Sequence, residues 1–194
     1  MKDYIKIHKM LAIQNVQLFA REKLVAYGKL GEVVGTQIFD ILEREKTGAA
    51  GRKRLVPSST ESSVSLETSV WDAACELFYL WFESDVNDRW FRLAAGGEEF
   101  GDETEETLLA SKFVSAFLMD EGVLFREMRR LEIGRVKLDV RDVIRLADRF
   151  AVPYRMMVKR LFEVRGCSLK EYEKLIGYKE EQVEMWRRRL EGRK

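Results

Sequence analysis

The segment Ala74-Cys75-Glu76-Leu77-Phe78-Tyr79-Leu80 holds three side chains capable of chemistry at an informative spacing. Cys75 and Tyr79 are four residues apart, so a helix puts the thiol and the phenol on one face. Glu76 follows directly on the first of them. Two ligands at i and i+4, with a glutamate after the first, are how a helix holds zinc and supplies a general base for hydrolysis, and that arrangement uses two histidines. Here the two ligand positions hold a thiol and a phenol, and Glu76 stands where the base would be. A thiolate binds zinc well, whereas a phenol with an ordinary pKa of about 10 must first lose its proton. The competing use of these residues is packing, with Cys75 as a small apolar group and Tyr79 filling space between elements.

The rest of the composition narrows the chemistry further. His8 is the one histidine among 194 residues, so a two-histidine metal centre cannot be built within one chain. Ser-His-Asp or Cys-His catalysis would have to use His8, which near a terminus reads as a surface residue. Cys75 and Cys167 make neither a disulfide framework nor a zinc knuckle. The 34 lysines and arginines against 33 acids leave a net charge of +1, so global charge argues neither for nor against nucleic acid. Apolar residues at 46% suffice for a core. There is no signal-peptide pattern and no apolar run of about 18 residues, so a cytoplasmic protein with no membrane span is expected.

The elements that must position these residues follow from pattern and punctuation. Residues 3–11 read as a short helix and Val16 to Phe19 as a strand. Three glycines between Gly28 and Gly35 mark a turn. Thr36 to Leu42 reads as a second strand, Glu43 to Arg54 as a hairpin turn and Arg54 to Val56 as its returning strand. The serine- and threonine-rich stretch Pro57 to Ser69 is a loop that supplies a helix N-cap. Val70 to Trp81 has helical spacing, and Asp85 to Asp102 is a glycine-containing loop. Helices are expected over 103–131, ended by Gly134, over 140–150, from Pro153 onward, over 169–176 and over 179–190. The sum is an α+β, mostly helical chain with a small N-terminal β region and a helical C-terminal part.

Three segments in order resemble the ImmA/IrrE family of bacterial and phage metallo-endopeptidases. Trp71 to Leu80 is similar to that family's F-T-x-A-H-E-L-x-H-x. Ala110-Ser111-Lys112-Phe113-Val114-Ser115-Ala116-Phe117-Leu118-Met119 is similar to its A-N-x-F-A-A-x-L-L-M, followed by Asp120 where proline is usual. Val143 to Pro153, with Met157-Val158-Lys159-Arg160-Leu161, is similar to its l-A-x-x-F-x-V-S and m-x-x-R-L. The resemblance covers most of residues 5–166. It implies a zincin-like core over 1–131, with a helical region over 132–194 packed on it as one unit.

The resemblance also implies which residues carried the chemistry. The zinc histidines fall on Cys75 and Tyr79 and the catalytic glutamate on Glu76. The third ligand, a glutamate, falls on Thr107; Glu106 is one residue away, rotated by about 100°. Zinc is thus expected to be lost, with no cofactor in its place, and Phe78 adds aromatic bulk where the family's position is often small. The expected function is a catalytically inactive pseudopeptidase, a regulatory protein-binding module of phage or mobile-element type. Its expected partner is a protein such as a helix-turn-helix repressor. An alternative is a nucleic-acid-binding regulator using Arg126, Arg129, Arg130, Arg187, Arg188 and Arg189, with a helix-turn-helix outline over 139–161. Interleaved glutamates make those arginines equally readable as solvated faces. A second alternative is a metallopeptidase with an unconventional site.

Overall fold

Residues 1–27 contain neither glycine nor proline, and Ile13, Val16, Ala20 and Leu24 recur on one helical face. In the computed structural model, which describes residues 2–48, 65–85, 105–134 and 137–192, this stretch is one long helix, α1 (Lys2–Ala26). Val16, Ala20 and Leu24 are buried. Gly28 stops the helix: at φ 64° it turns the chain so that the N–H groups of Lys29 and Leu30 donate to the Leu24 carbonyl.

The strand expected at Val16 to Phe19 is therefore the middle of α1. The strand expected at Thr36 to Leu42 is a 3-10 turn (Gly35–Gln37) running into α2 (Ile38–Gly48). The physical reason is period: Ile38, Ile41 and Leu42 stand at i, i+3 and i+4, and all three are buried on one helical face. The first part of the expected hairpin turn, Glu43 to Gly48, belongs to α2. The returning strand at Arg54 to Val56, like the loop over 86–102, lies outside the described residues. Among the described residues there is no strand, so the N-terminal β region is corrected to helix.

The helical expectations held more closely. Ser65 caps α3 (Leu66–Asp85), its hydroxyl accepting from the Thr68 N–H at 3.3 Å, which is the cap expected of the serine-rich stretch. The single helix expected over 103–131 divides into α4 (Glu105–Leu118) and α5 (Glu121–Arg130). The divider is Asp120, whose carboxylate accepts from the Val123 N–H at 3.1 Å and so starts a new helix. Asp139 and Asp142 form a reciprocal capping box that starts α6 (Val140–Phe150). Ala151, in the left-handed region at φ 52°, ends α6, and Pro153 leads into α7 (Tyr154–Glu163). Ser168 and Glu171 box the start of α8 (Leu169–Ile176), and α9 (Glu180–Glu191) closes the described chain.

All of these helices share one apolar core reaching from Val16 to Val183. α1 and α3 pack on α4, α2 packs on α3, and α6 is covered by α7 and α9 while α8 packs on α7. The centre is aromatic. Phe113 of α4 lies 5.6 Å from Phe19, 5.2 Å from Phe78, 6.0 Å from Trp81 and 5.5 Å from Phe117, ring centre to ring centre. Among the described residues, no helix is long and apolar enough to cross a membrane.

Candidate functional site

The residues singled out by spacing sit halfway along α3, where the helix turns one side to the core and another toward α2. Ala74, Leu77 and Phe78 are fully buried, and they set the rotation of the helix. Cys75 and Tyr79 follow at the edge of that buried side, half-buried and packed against the core. Tyr79 meets the edge of the Phe78 ring at 5.4 Å, and Phe78 in turn contacts Phe82 at 4.9 Å. The aromatic bulk noted in the sequence is thus real packing, with Phe78 joining α3 to α4.

Burial pushes the Cys75 thiol up to about 12, and the neighbouring Asp72 carboxylate pushes in the same direction. A thiol must be deprotonated to act as nucleophile or zinc ligand. Against an ordinary value of 9.0, the thiolate population at neutral pH falls roughly a thousandfold. Cys167 is raised less, to about 11, by burial first and the Glu171 carboxylate second. At pH 8 we expect iodoacetamide to label Cys167 faster than Cys75, and both far more slowly than a free cysteine. Timed alkylation read by mass spectrometry checks the order; Cys75 labelling at the rate of unfolded chain would show an ionised thiol.

One step around the helix, Glu76 points away from the Cys75 face and pairs with Lys46 of α2, Oε1 to Nζ 2.8 Å. The lysine is half exposed, so the pair is a surface tie between two helices and of small energy. Glu76→Gln is expected to change stability by less than about 1 kcal/mol in urea unfolding, because water solvates what the pair gives up.

The other residues of the expected zinc site are placed less fully. Thr107 and Glu106 lie in the first turn of α4, and His8 lies in α1, but their side chains are outside the described residues. Among the described residues, no three His, Cys, Asp or Glu side chains come together as a metal-binding group. The donors that are described are a half-buried thiol and a carboxylate turned toward Lys46 of α2.

The structure joins the second and third motif segments through residues to which the sequence reading assigned no role. Arg160 of α7 is 5% exposed, and its Nε donates to the Met119 carbonyl at 3.0 Å, where the second segment ends. One of its terminal nitrogens lies 3.4 Å from Glu163, and Glu163 also binds Lys112 of α4. The signal was present: Arg160 stands on the apolar stripe with Met157, Leu161 and Val164, an uncommon place for a charge that is not paired.

The six arginines considered for nucleic acid are spread over two helices and mostly engaged. Arg126 and Arg130 approach the buried Glu127 at 4.0 and 3.7 Å, and Arg149 of α6 binds it at 3.0 Å. Arg187 reaches Glu67 of α3 at 2.6 Å and Asp148 of α6 at 2.8 Å. Arg188 pairs with Glu184 at 3.1 Å, and Arg189 lies 5.2 Å over the Trp186 ring. Arg129 is exposed. Over 139–161 the chain forms α6, a turn at Ala151 and most of α7, and α8 covers part of α7. Phe162 stacks on Tyr172 at 4.5 Å, and the Tyr154 hydroxyl donates to the Leu175 carbonyl at 3.1 Å. Compared with known families, with curated proteins and with solved structures, the chain matches none.

Proposed function

We propose that the chain is a regulatory protein-binding module, a degenerate relative of the ImmA/IrrE peptidases that works without cleaving its partner. The observation that carries this reading is how the positions of the lost zinc site are used. Cys75 is half-buried and packed against the core, Tyr79 meets the edge of Phe78, and Glu76 pairs with Lys46 of α2. The likeness is supported by the way the three motif segments pack, Phe78 and Trp81 on Phe113 and Phe117, and Arg160 on the end of α4. It is a likeness to the helical half of a zincin-like core, since the β half has no counterpart among the described residues. The partner proposed is a cytoplasmic transcriptional regulator of helix-turn-helix type in a phage or mobile-element setting. Binding regulates it by preferring one of its states.

Two measurements test this. Purified protein is expected to carry far less than one equivalent of zinc; stoichiometric zinc that disappears in Cys75→Ala would establish the metallopeptidase alternative instead. Mixed with candidate repressors, the chain is expected to bind and leave them intact on a gel, and cleavage overturns the reading. The nucleic-acid alternative draws on Arg126, Arg129, Arg130, Arg187, Arg188 and Arg189, of which Arg129 is exposed and without an ion pair among the described residues. It predicts a steep loss of DNA affinity with salt, which the protein-partner reading does not require.

A further inference from the structure

Three guanidiniums share one buried carboxylate, that of Glu127 on α5, which is 3% exposed. Arg149 of α6 donates from its Nε to Glu127 Oε2 at 3.0 Å. Arg130 stands 3.7 Å from the same oxygen and Arg126 4.0 Å from Oε1, each again nearest through Nε. The terminal nitrogens therefore lie farther from the carboxylate, on side chains that are 50%, 61% and 43% exposed for Arg126, Arg130 and Arg149. A guanidinium engaged through Nε keeps its end-on pair of N–H donors for a second oxyanion.

Charge is left over as well as donors. One carboxylate neutralises one guanidinium, and among the described residues no other carboxylate forms an ion pair with these three. The acids of α6 are committed elsewhere: Asp142 accepts from the Asp139 N–H, and Asp148 binds Arg187. Glu121 stands at the opposite end of α5. The last turns of α5 and α6 carry these arginines, and their carbonyl ends offset about half a charge each, so a net positive charge remains. Arg145, one turn before Arg149, is exposed and without an ion pair among the described residues, which extends the patch along α6.

We propose that Arg126, Arg130 and Arg149, gathered around Glu127, bind a phosphomonoester. Such a group brings three acceptor oxygens and a charge of about −1.5 to −2 to three planar donor forks. The cluster is confined to the surroundings of one carboxylate, in a chain whose net charge is +1. That suits a single phosphate group, whereas the run of phosphates in a nucleic acid takes a longer basic stripe. A phosphoserine side chain of a protein and a free phosphate ester offer the same chemistry, and the titrations below separate them. The site involves none of the former zinc positions on α3 and stands apart from the pseudopeptidase reading.

Arginine Nε–H signals of the full chain, followed by nuclear magnetic resonance at constant ionic strength, test the proposal. The probes are inorganic phosphate, a blocked phosphoserine tripeptide and a short DNA duplex. Phosphate is expected to move the signals of Arg126, Arg130 and Arg149 saturably, with Kd on the order of 1 mM, and chloride is not. The double variant Arg126→Gln, Arg130→Gln replaces exposed residues, so its circular dichroism is expected to stay native while phosphate binding weakens by at least about tenfold. Lys170→Ala, an exposed cation on α8, is expected to leave binding unchanged. If the double variant loses its helical signal, the two single variants are scored by the same criterion. The absence of saturable shifts, or binding indifferent to these variants, overturns the site. A phosphoserine peptide that binds more tightly than inorganic phosphate supports the site with a protein side chain as the source, and equal binding supports it with a free phosphate ester. A DNA duplex that moves the same signals at lower concentration than the peptide overturns the monoester assignment in favour of a nucleic-acid backbone.

Discussion

Phe113→Ala is expected to lower the free energy of unfolding by about 3–5 kcal/mol, the range for removing a fully buried aromatic ring. Phe113 touches rings from three segments: Phe19 of α1, Phe78 and Trp81 of α3, and Phe117 of its own helix. Its removal leaves a cavity that four large side chains border, and their mutual contacts hinder collapse into it. A domain of this kind has total stability of about 5–15 kcal/mol, so the variant gives up a large share. Urea unfolding at 25 °C measures the change. A loss under about 1.5 kcal/mol would mean that the ring cluster repacks freely, contrary to the close packing described. Phe113→Leu, which keeps most of the volume, is expected to lose less than half as much.

Arg160→Leu is expected to cost about 2–4 kcal/mol, although leucine suits the apolar stripe on which it would sit. The loss comes from the Met119 carbonyl, which accepts from the Arg160 Nε at the buried end of α4. Without a donor it keeps its desolvation penalty. Glu163 loses one of its two cations but keeps Lys112, which limits the damage. Arg160→Lys retains the charge but not the fork of donors, so it is expected to fall between the two. The same unfolding measurement decides, with an unchanged denaturant slope showing that the loss lies in the folded state. If Arg160→Leu is neutral or stabilising, the guanidinium is not the strut described.

The helices after residue 65 were legible because each carries a period and its own punctuation. Asp139 with Asp142 and Ser168 with Glu171 are capping pairs visible in sequence, and Pro153 and Gly177 stand at ends. Asp120 shows the same kind of signal at a place where a long apolar run hid it. The first 48 residues misled for a different reason. Val16-Gln17-Leu18-Phe19 has β-favouring residues, yet only Val16 of these four is buried while Leu18 is exposed, so burial follows the helix period across a longer window. The site was partly legible. Spacing placed Cys75 and Tyr79 together on one side of α3, but it could not tell that Glu76 would face Lys46, because that depends on how α2 packs. The role of Arg160 likewise depends on two segments meeting that are far apart in sequence.

The Arg187 cluster bears on motion. A single guanidinium near the end of the chain grips the first turn of α3 through Glu67 and the last turn of α6 through Asp148. Swinging α9 outward would break both ion pairs, so one side chain ties the last helix to two others. A ligand that needs the surface under α9 must compete with two carboxylates for one arginine. High salt, which screens all three charges, would lower that barrier. The Arg187–Glu67 pair thus ties the last helix to the beginning of the helix that carries Cys75 and Glu76.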